Sequence, residues 1–135
     1  MNPAAGARRP SKEAGPELLV LAKWEEFTGW LLDFSAKWPK SARFTITQRV
    51  QNHAIDVVER LVIARYEPAS RAETLRSVNL VLERMRFLFR IAREARVMPA
   101  SGFETAMLGV DEAGRMIHGW RQRIGEQHPH VPEAG

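Results

Sequence analysis

The strongest constraint on this chain is its division into four amphipathic segments by three short breaks. In the first segment the apolar residues recur at alternating spacings of four and three, which is typical of one stripe on an α-helix. They are Val20, Trp24, Phe27, Leu31, Phe34 and Trp38. The breaks fall at 39–41, 67–70 and 99–101, and strand-like alternation is absent from the sequence. Because breaks this short place successive helices antiparallel, the sequence predicts an all-α, antiparallel, up-down-up-down four-helix bundle.

The predicted helices span residues 17–38, 44–66, 70–97 and 102–124. Pro39 ends the first, since the residue before a proline is pushed out of the α region. Thr45 and Gln48 have the spacing of a capping box at the start of the second. In the fourth, Gly114 lies on the apolar side, where it permits close approach of another helix. The bundle is expected at 17–125, with flexible tails at 1–16 and 126–135.

The third predicted helix carries a narrow polar band on an otherwise apolar surface. The band consists of Arg76, Asn79, Glu83, Arg86, Arg90 and Arg93, at spacings of three and four. Four further apolar residues point away from the stripe that would face the bundle core: Leu80, Phe87, Leu88 and Ile91. A helix that is apolar around most of its circumference must be covered on several sides. These four residues are therefore predicted to form a subunit interface of a homo-oligomer.

The positive charge of the chain is concentrated near the third helix. The formal net charge is +4 and the sequence pI is about 10.1, which favours polyanionic partners. Residues 70–97 contain seven arginines and three glutamates, an excess equal to that of the whole chain. The predicted nucleic-acid or polymerase contacts are Arg43, Arg49, Arg60, Arg76, Arg84, Arg86, Arg90 and Arg93. The alternatives are a solvated face paired with Glu83, Asp56 and carboxylates of a neighbouring subunit, or an arginine content set by genomic base composition.

Motifs for catalysis and for metal binding are absent from the sequence. With no cysteine, the chain cannot form disulfides or thiolate sites. Phosphate loops, nucleophile elbows, zinc-helix motifs and dinucleotide fingerprints are also missing. The histidines are scattered, and Asp111 and Glu112 are interpreted as ordinary ion pairs with Arg115. We expect no cofactor, no metal and no enzymatic activity. Because a signal peptide and a membrane span are not apparent, a cytoplasmic location is expected.

The start of the second predicted helix resembles a known family. Residues 38–49, Trp-Pro-Lys-Ser-Ala-Arg-Phe-Thr-Ile-Thr-Gln-Arg, are similar to the aromatic-Pro-basic-Ser-x-Arg-Phe-Thr segment of accessory variability determinant (Avd) proteins of diversity-generating retroelements. The match continues in order with Ala-Arg-Tyr at 64–66, Leu-Arg at 75–76, Asn-Leu at 79–80 and Leu-Glu-Arg-x-Arg-Phe-Leu at 82–88. It ends with Glu-Ala-Gly-Arg-Met-Ile-His-Gly-Trp at 112–120, where His118 replaces a frequent glycine.

The resemblance implies a four-helix bundle that assembles into a homopentameric ring. It also implies binding to the reverse transcriptase of the element and to its template-repeat RNA or the cDNA. The protein itself would catalyse no reaction, but would support mutagenic cDNA synthesis and retrohoming into a target gene.

Two other functions remain open at this point. One is a four-helix-bundle protein encoded in a ribosomal-RNA intervening sequence; a neighbouring reverse-transcriptase gene and two near-identical repeats that differ at adenines would argue against it. The other is a helical adaptor that binds protein alone, which an absence of nucleic-acid affinity at low salt would favour.

Overall fold

The computed structural model describes residues 15–127, and all its regular secondary structure in that range is helical. Four long helices are present: α1 (Pro16–Ser35), α2 (Gln48–Tyr66), α3 (Arg71–Glu94) and α4 (Ala100–Gln127). A 3-10 turn (Lys40–Ala42) and a π-helix (Arg43–Thr47) join α1 to α2, and a second 3-10 turn (Pro68–Ser70) joins α2 to α3. The predicted all-α class is confirmed. Most of each predicted tail, residues 1–14 and 128–135, lies outside the described residues.

Contacts between the helices define an antiparallel bundle in which each helix packs against two neighbours. Glu17, near the start of α1, pairs with Arg65 at the end of α2, while Ser35 at the end of α1 contacts Gln51 near the start of α2. The helix α4 closes the bundle by packing against both α3 and α1. The up-down-up-down order follows from these contacts and from the short connections.

The predicted apolar stripes form the core. Val20, Trp24 and Leu31 of α1 are almost fully buried. So are the residues that α2 turns towards the core: Val50, Ala54, Val57, Leu61 and Ala64. The Trp24 indole Nε1–H donates to the carbonyl oxygen of Ala54 at 2.9 Å, so the largest core side chain has its polar atom satisfied. Trp38 is also buried, although α1 ends before it.

Aromatic rings follow one another along α1 and determine where α4 can approach. The rings of Trp24, Phe27, Trp30, Phe34 and Trp38 lie 4.7–5.8 Å apart, centroid to centroid, in that order. A Cβ atom at Gly109 would overlap the Phe27 ring, and one at Gly102 would overlap the Phe34 ring. The close approach of helices that the sequence predicts at Gly114 therefore occurs at Gly102 and Gly109 instead. At Gly114 a Cβ would meet the Arg86 guanidinium at 3.4 Å, without overlap.

The predicted capping box at the start of α2 does not form. Thr45 donates instead to the carbonyl oxygen of Ala42 at 3.2 Å, inside the π-helix. The α-helical part begins at Gln48, whose preceding residue, Thr47, makes no side-chain capping bond. The wider turn of a π-helix changes which side chains share a face, and such segments often occur at functional sites.

Candidate nucleic-acid interface

A strip of exposed apolar residues on α3 separates two basic surfaces. Leu80, Phe87 and Ile91 are 59%, 57% and 51% exposed and lie opposite the buried side of α3. Leu88, predicted with them, is half-buried and packs against the core of its own subunit. We call the three exposed residues the apolar strip.

The first basic surface, the α2–α3 face, consists of Arg49, His53, Arg60 and Arg84. The α2 members recur at spacings of four and seven, so they lie on one side of that helix. Burial, followed by the nearby positive charge of Arg84, lowers the pKa of His53, and Arg49 and Arg60 add to the effect. The negative charge of Asp56 opposes this effect and raises the pKa of His53. Arg60 is paired with Asp56 at 2.8 Å, as the alternative interpretation expected.

The second basic surface, the α3–α4 edge, contains Arg76, Arg86, Arg90 and Arg93. The sequence predicts these arginines on one exposed line, but Arg86 departs from it. Its side chain is 21% exposed and bridges two helices, with Nη1 at 2.6 Å from Glu83 and Nε at 2.9 Å from Asp111 of α4. Gly114 of α4 lies beside the guanidinium. Arg86 therefore joins α3 to α4 and is less available to a ligand than its neighbours.

The remaining arginines of this edge are exposed. Arg76 is paired with Glu73, one turn away, and both side chains are about 70% exposed. The Arg93 guanidinium lies 4.2 Å from the centroid of the Phe103 ring of α4. Arg90 lies 5.2 Å from the ring of Phe87 in the apolar strip. Stacking of this kind orients a guanidinium and leaves its N–H groups available to phosphate oxygens.

Arg43 lies apart from both basic surfaces. It is exposed and begins the π-helix at the corner between α1 and α2. The structure therefore distributes the eight predicted arginines over three places: the α2–α3 face, the α3–α4 edge and this corner.

The resemblance to Avd proteins extends over most of the chain. The family model described as bAvd-like matches residues 18–124, from the first turn of α1 to the last turns of α4. The chain belongs to the bAvd-like family. Avd proteins are accessory, non-catalytic proteins of diversity-generating retroelements, in agreement with the sequence analysis. No curated protein and no solved structure matches the chain.

Two basic residues of this Avd-like chain join the α3–α4 edge without having been predicted. Arg115 and His118 of α4 line a shallow groove together with Asn79 and Arg86. The ion pairs proposed for α4 were wrong, because Asp111 pairs with Arg86, and Glu112 pairs with Lys23 of α1 at 3.5 Å. Both pairs cross between helices. The spacing of Arg115 from Asp111 could have indicated its place beside Arg86, since residues four apart share a helix face.

Within residues 15–127, no group of three or more potential ligands could hold a metal ion. None of the helices described is long and apolar enough to cross a membrane. What the surfaces of the Avd-like bundle offer is a set of guanidinium donors on two sides of α3, which can bind phosphate groups in bidentate fashion.

Proposed function

We propose that the chain is the accessory protein of a diversity-generating retroelement that binds the reverse transcriptase and the template-repeat RNA, or its cDNA. The basic surfaces of α2 and α3 would make these contacts, and binding would support mutagenic cDNA synthesis and retrohoming. The proposal also implies a cytoplasmic location, where transcript and polymerase meet.

The observation that carries this proposal is a group of four exposed arginines on both sides of α3. Arg49, Arg84, Arg90 and Arg93 form no ion pair with any carboxylate whose side chain the structure describes. A guanidinium that is already paired must lose its partner before it binds phosphate, whereas these four need not. Their charges remain available to neutralise phosphates and release counterions.

The apolar strip supports a second part of the proposal, a homopentameric ring. Leu80, Phe87 and Ile91 lie on one side of α3 and are more than half exposed, and subunit contacts commonly bury such apolar side chains. Light scattering at micromolar concentration should give the pentamer mass for the wild type. The double change Phe87→Glu with Ile91→Glu should give a folded monomer, because both side chains lie outside the subunit core. A monomeric wild type would overturn this part.

RNA binding is tested by salt titration of the wild type and two double variants. The Arg49→Ala/Arg84→Ala variant removes two charges from the α2–α3 face, and the Arg90→Ala/Arg93→Ala variant removes two from the α3–α4 edge. Each lost phosphate contact should lower the slope of log affinity against log salt by about 0.7 for single-stranded RNA and about 0.9 for a duplex. Sequence preference should not change, since phosphate contacts carry no sequence information.

The control is Lys23→Ala, which removes one cation from the opposite side of the bundle, where Lys23 pairs with Glu112. It should leave the slope unchanged. Equal slopes for all variants would rule out phosphate contacts by these arginines. If the wild type has no affinity for RNA at low salt but captures the purified reverse transcriptase, the chain is a protein-binding adaptor.

A further inference from the structure

A small polar pocket lies at the corner between α1 and α2, away from both basic surfaces. Its volume is about 220 Å³, and it is lined by Ser35, Ala36, Trp38, Pro39, Arg43, Thr47 and Gln51. Four of these residues belong to the segment 38–49 that resembles the Avd family. The proposed function uses Arg49 from this segment and assigns no role to the four residues that line the pocket.

Two side chains that line the pocket are deeply buried, and each has a polar atom without a hydrogen-bond partner. Trp38 is 5% exposed and Thr47 is 6% exposed, yet Trp38 Nε1 and Thr47 Oγ1 are both unpartnered. Leaving a buried donor unpaired is costly, so such groups call for an explanation. Both atoms have almost no accessible surface, so an acceptor bound in the pocket would reach them through a small shift of these two side chains.

The other walls suit an anionic acceptor. Gln51 Nε2 donates to Ser35 Oγ at 2.8 Å, which fixes these two side chains against each other. Arg43 supplies a guanidinium, and no carboxylate is among the lining residues. Residues 34–55 contain no aspartate or glutamate, and Lys37, Lys40 and Arg43 lie in the connection between α1 and α2. The pocket therefore combines neutral donors with local positive charge, as phosphate requires.

The residue after Arg43 indicates where the phosphate comes from. Phe44 is 81% exposed, the most exposed of the large apolar side chains, and it stands on the π-helix beside the pocket. An exposed ring next to a phosphate site suits stacking on an unpaired base. We propose that this pocket binds a phosphate group of single-stranded nucleic acid while Phe44 stacks on the adjacent base. This inference rests on the proposed function and adds a specific contact site to it.

The first test compares two matched threonines. Thr28, like Thr47, is buried and has an unpartnered hydroxyl, but it does not line the pocket. With a labelled oligouridylate at low salt, Thr47→Val should weaken binding about 3–10-fold. Thr28→Val should leave affinity unchanged. Phe44→Ala should weaken binding by at least about 5-fold, through loss of stacking.

The second test observes the pocket directly by NMR of the tryptophan indole N–H groups. The Trp38 signal, assigned with Trp38→Phe, should shift when oligouridylate is added. The Trp24 signal is an internal control, because its N–H already donates to Ala54 in the core. Inorganic phosphate should shift the Trp38 signal more weakly, since it cannot use Phe44.

The outcomes separate the pocket from the general function. If oligouridylate binds the two threonine variants equally and the Trp38 signal does not move, the pocket proposal is overturned and RNA binding elsewhere stands. If inorganic phosphate binds as tightly as the oligonucleotide and Phe44→Ala has no effect, the pocket is a free-phosphate site and the nucleic-acid assignment fails. If the wild type does not bind RNA at low salt, both the proposed RNA binding and the pocket proposal fail.

Discussion

Replacing Arg86 should destabilise the fold, whereas replacing the exposed Arg76 of the same helix should not. Its guanidinium makes charge-assisted hydrogen bonds to Glu83 on its own helix and to Asp111 on α4. Hydrogen bonds to charged groups contribute about 1.5–3 kcal/mol each when shielded from water. The two carboxylates are 51% and 43% exposed, so solvent reduces that value considerably. We expect Arg86→Ala to lower the free energy of unfolding by about 1–2 kcal/mol.

The assay is thermal and urea unfolding of matched variants. For a domain of this size, each kcal/mol lost should lower Tm by about 3–5 °C. Arg76→Ala is the control, because Arg76 also pairs with a glutamate three residues away but is exposed and touches no other helix. Its Tm should equal that of the wild type. Arginine and alanine have similar helix propensities, so propensity does not confound the comparison.

A double-mutant cycle isolates the contact between helices. Arg86→Ala and Asp111→Ala should show a coupling energy above about 0.5 kcal/mol, as residues in one ion-pair network do. Equal Tm values for Arg86→Ala and Arg76→Ala, or a coupling energy of zero, would refute the assignment of Arg86 to the α3–α4 contact. The wild-type affinity for RNA should be retained by Arg86→Ala at temperatures where it is folded.

Two further predictions concern glycine and histidine. Gly109→Ala should lower the free energy of unfolding by about 1–2 kcal/mol, because the new methyl group overlaps the Phe27 ring of α1. Gly119→Ala should raise it by about 0.5–1 kcal/mol, because a Cβ there meets nothing within 4 Å and alanine favours the helix. Chemical denaturation of both variants measures the two opposite changes. The pKa of His53 is lower in the folded state than in the unfolded chain. As the pH falls below about 6.5, the unfolded chain therefore takes up a proton at His53 more readily than the folded protein, and the wild type loses stability as the pH decreases. His53→Gln should lack this loss when unfolding is measured between about pH 5 and pH 8, and an unchanged pH profile would contradict the assignment.

The fold could be predicted because helical periodicity directly records which residues are buried. In the predicted stripe of α1, Val20, Trp24, Leu31 and Trp38 are buried, and Phe27 and Phe34 are partly buried against the same core. The start of α2 could not be predicted in the same way. The spacing of Thr45 and Gln48 fits a capping box, but the helical chain already begins before Thr45 as a π-helix, beside the buried Trp38 and Thr47. Spacing along the chain does not distinguish a helix start from a position inside a helix.

Pairings between helices were also beyond the sequence. Periodicity gives the face of a residue but not its height relative to the next helix. The pairing of Arg86 with Asp111 depends on the register of α3 against α4. The Phe27–Gly109 and Phe34–Gly102 contacts depend in the same way on the register of α1 against α4. For the same reason Arg84 was predicted as a basic contact residue, while its position beside His53 could be seen only in the structure.

A ring of five copies imposes a condition that the apolar strip alone does not meet. Subunits in a closed ring contact each other through two different patches, whereas a two-fold dimer can use one patch twice. A second apolar surface exists on the bundle: Leu108 is 57% exposed and borders an α1–α4 groove of about 380 Å³ that contains Phe27 and Trp30. If the strip of one subunit packs into this groove of the next, Leu108→Glu should dissociate the ring as Phe87→Glu does. In a two-fold dimer built on the strip, Leu108→Glu would leave the mass unchanged.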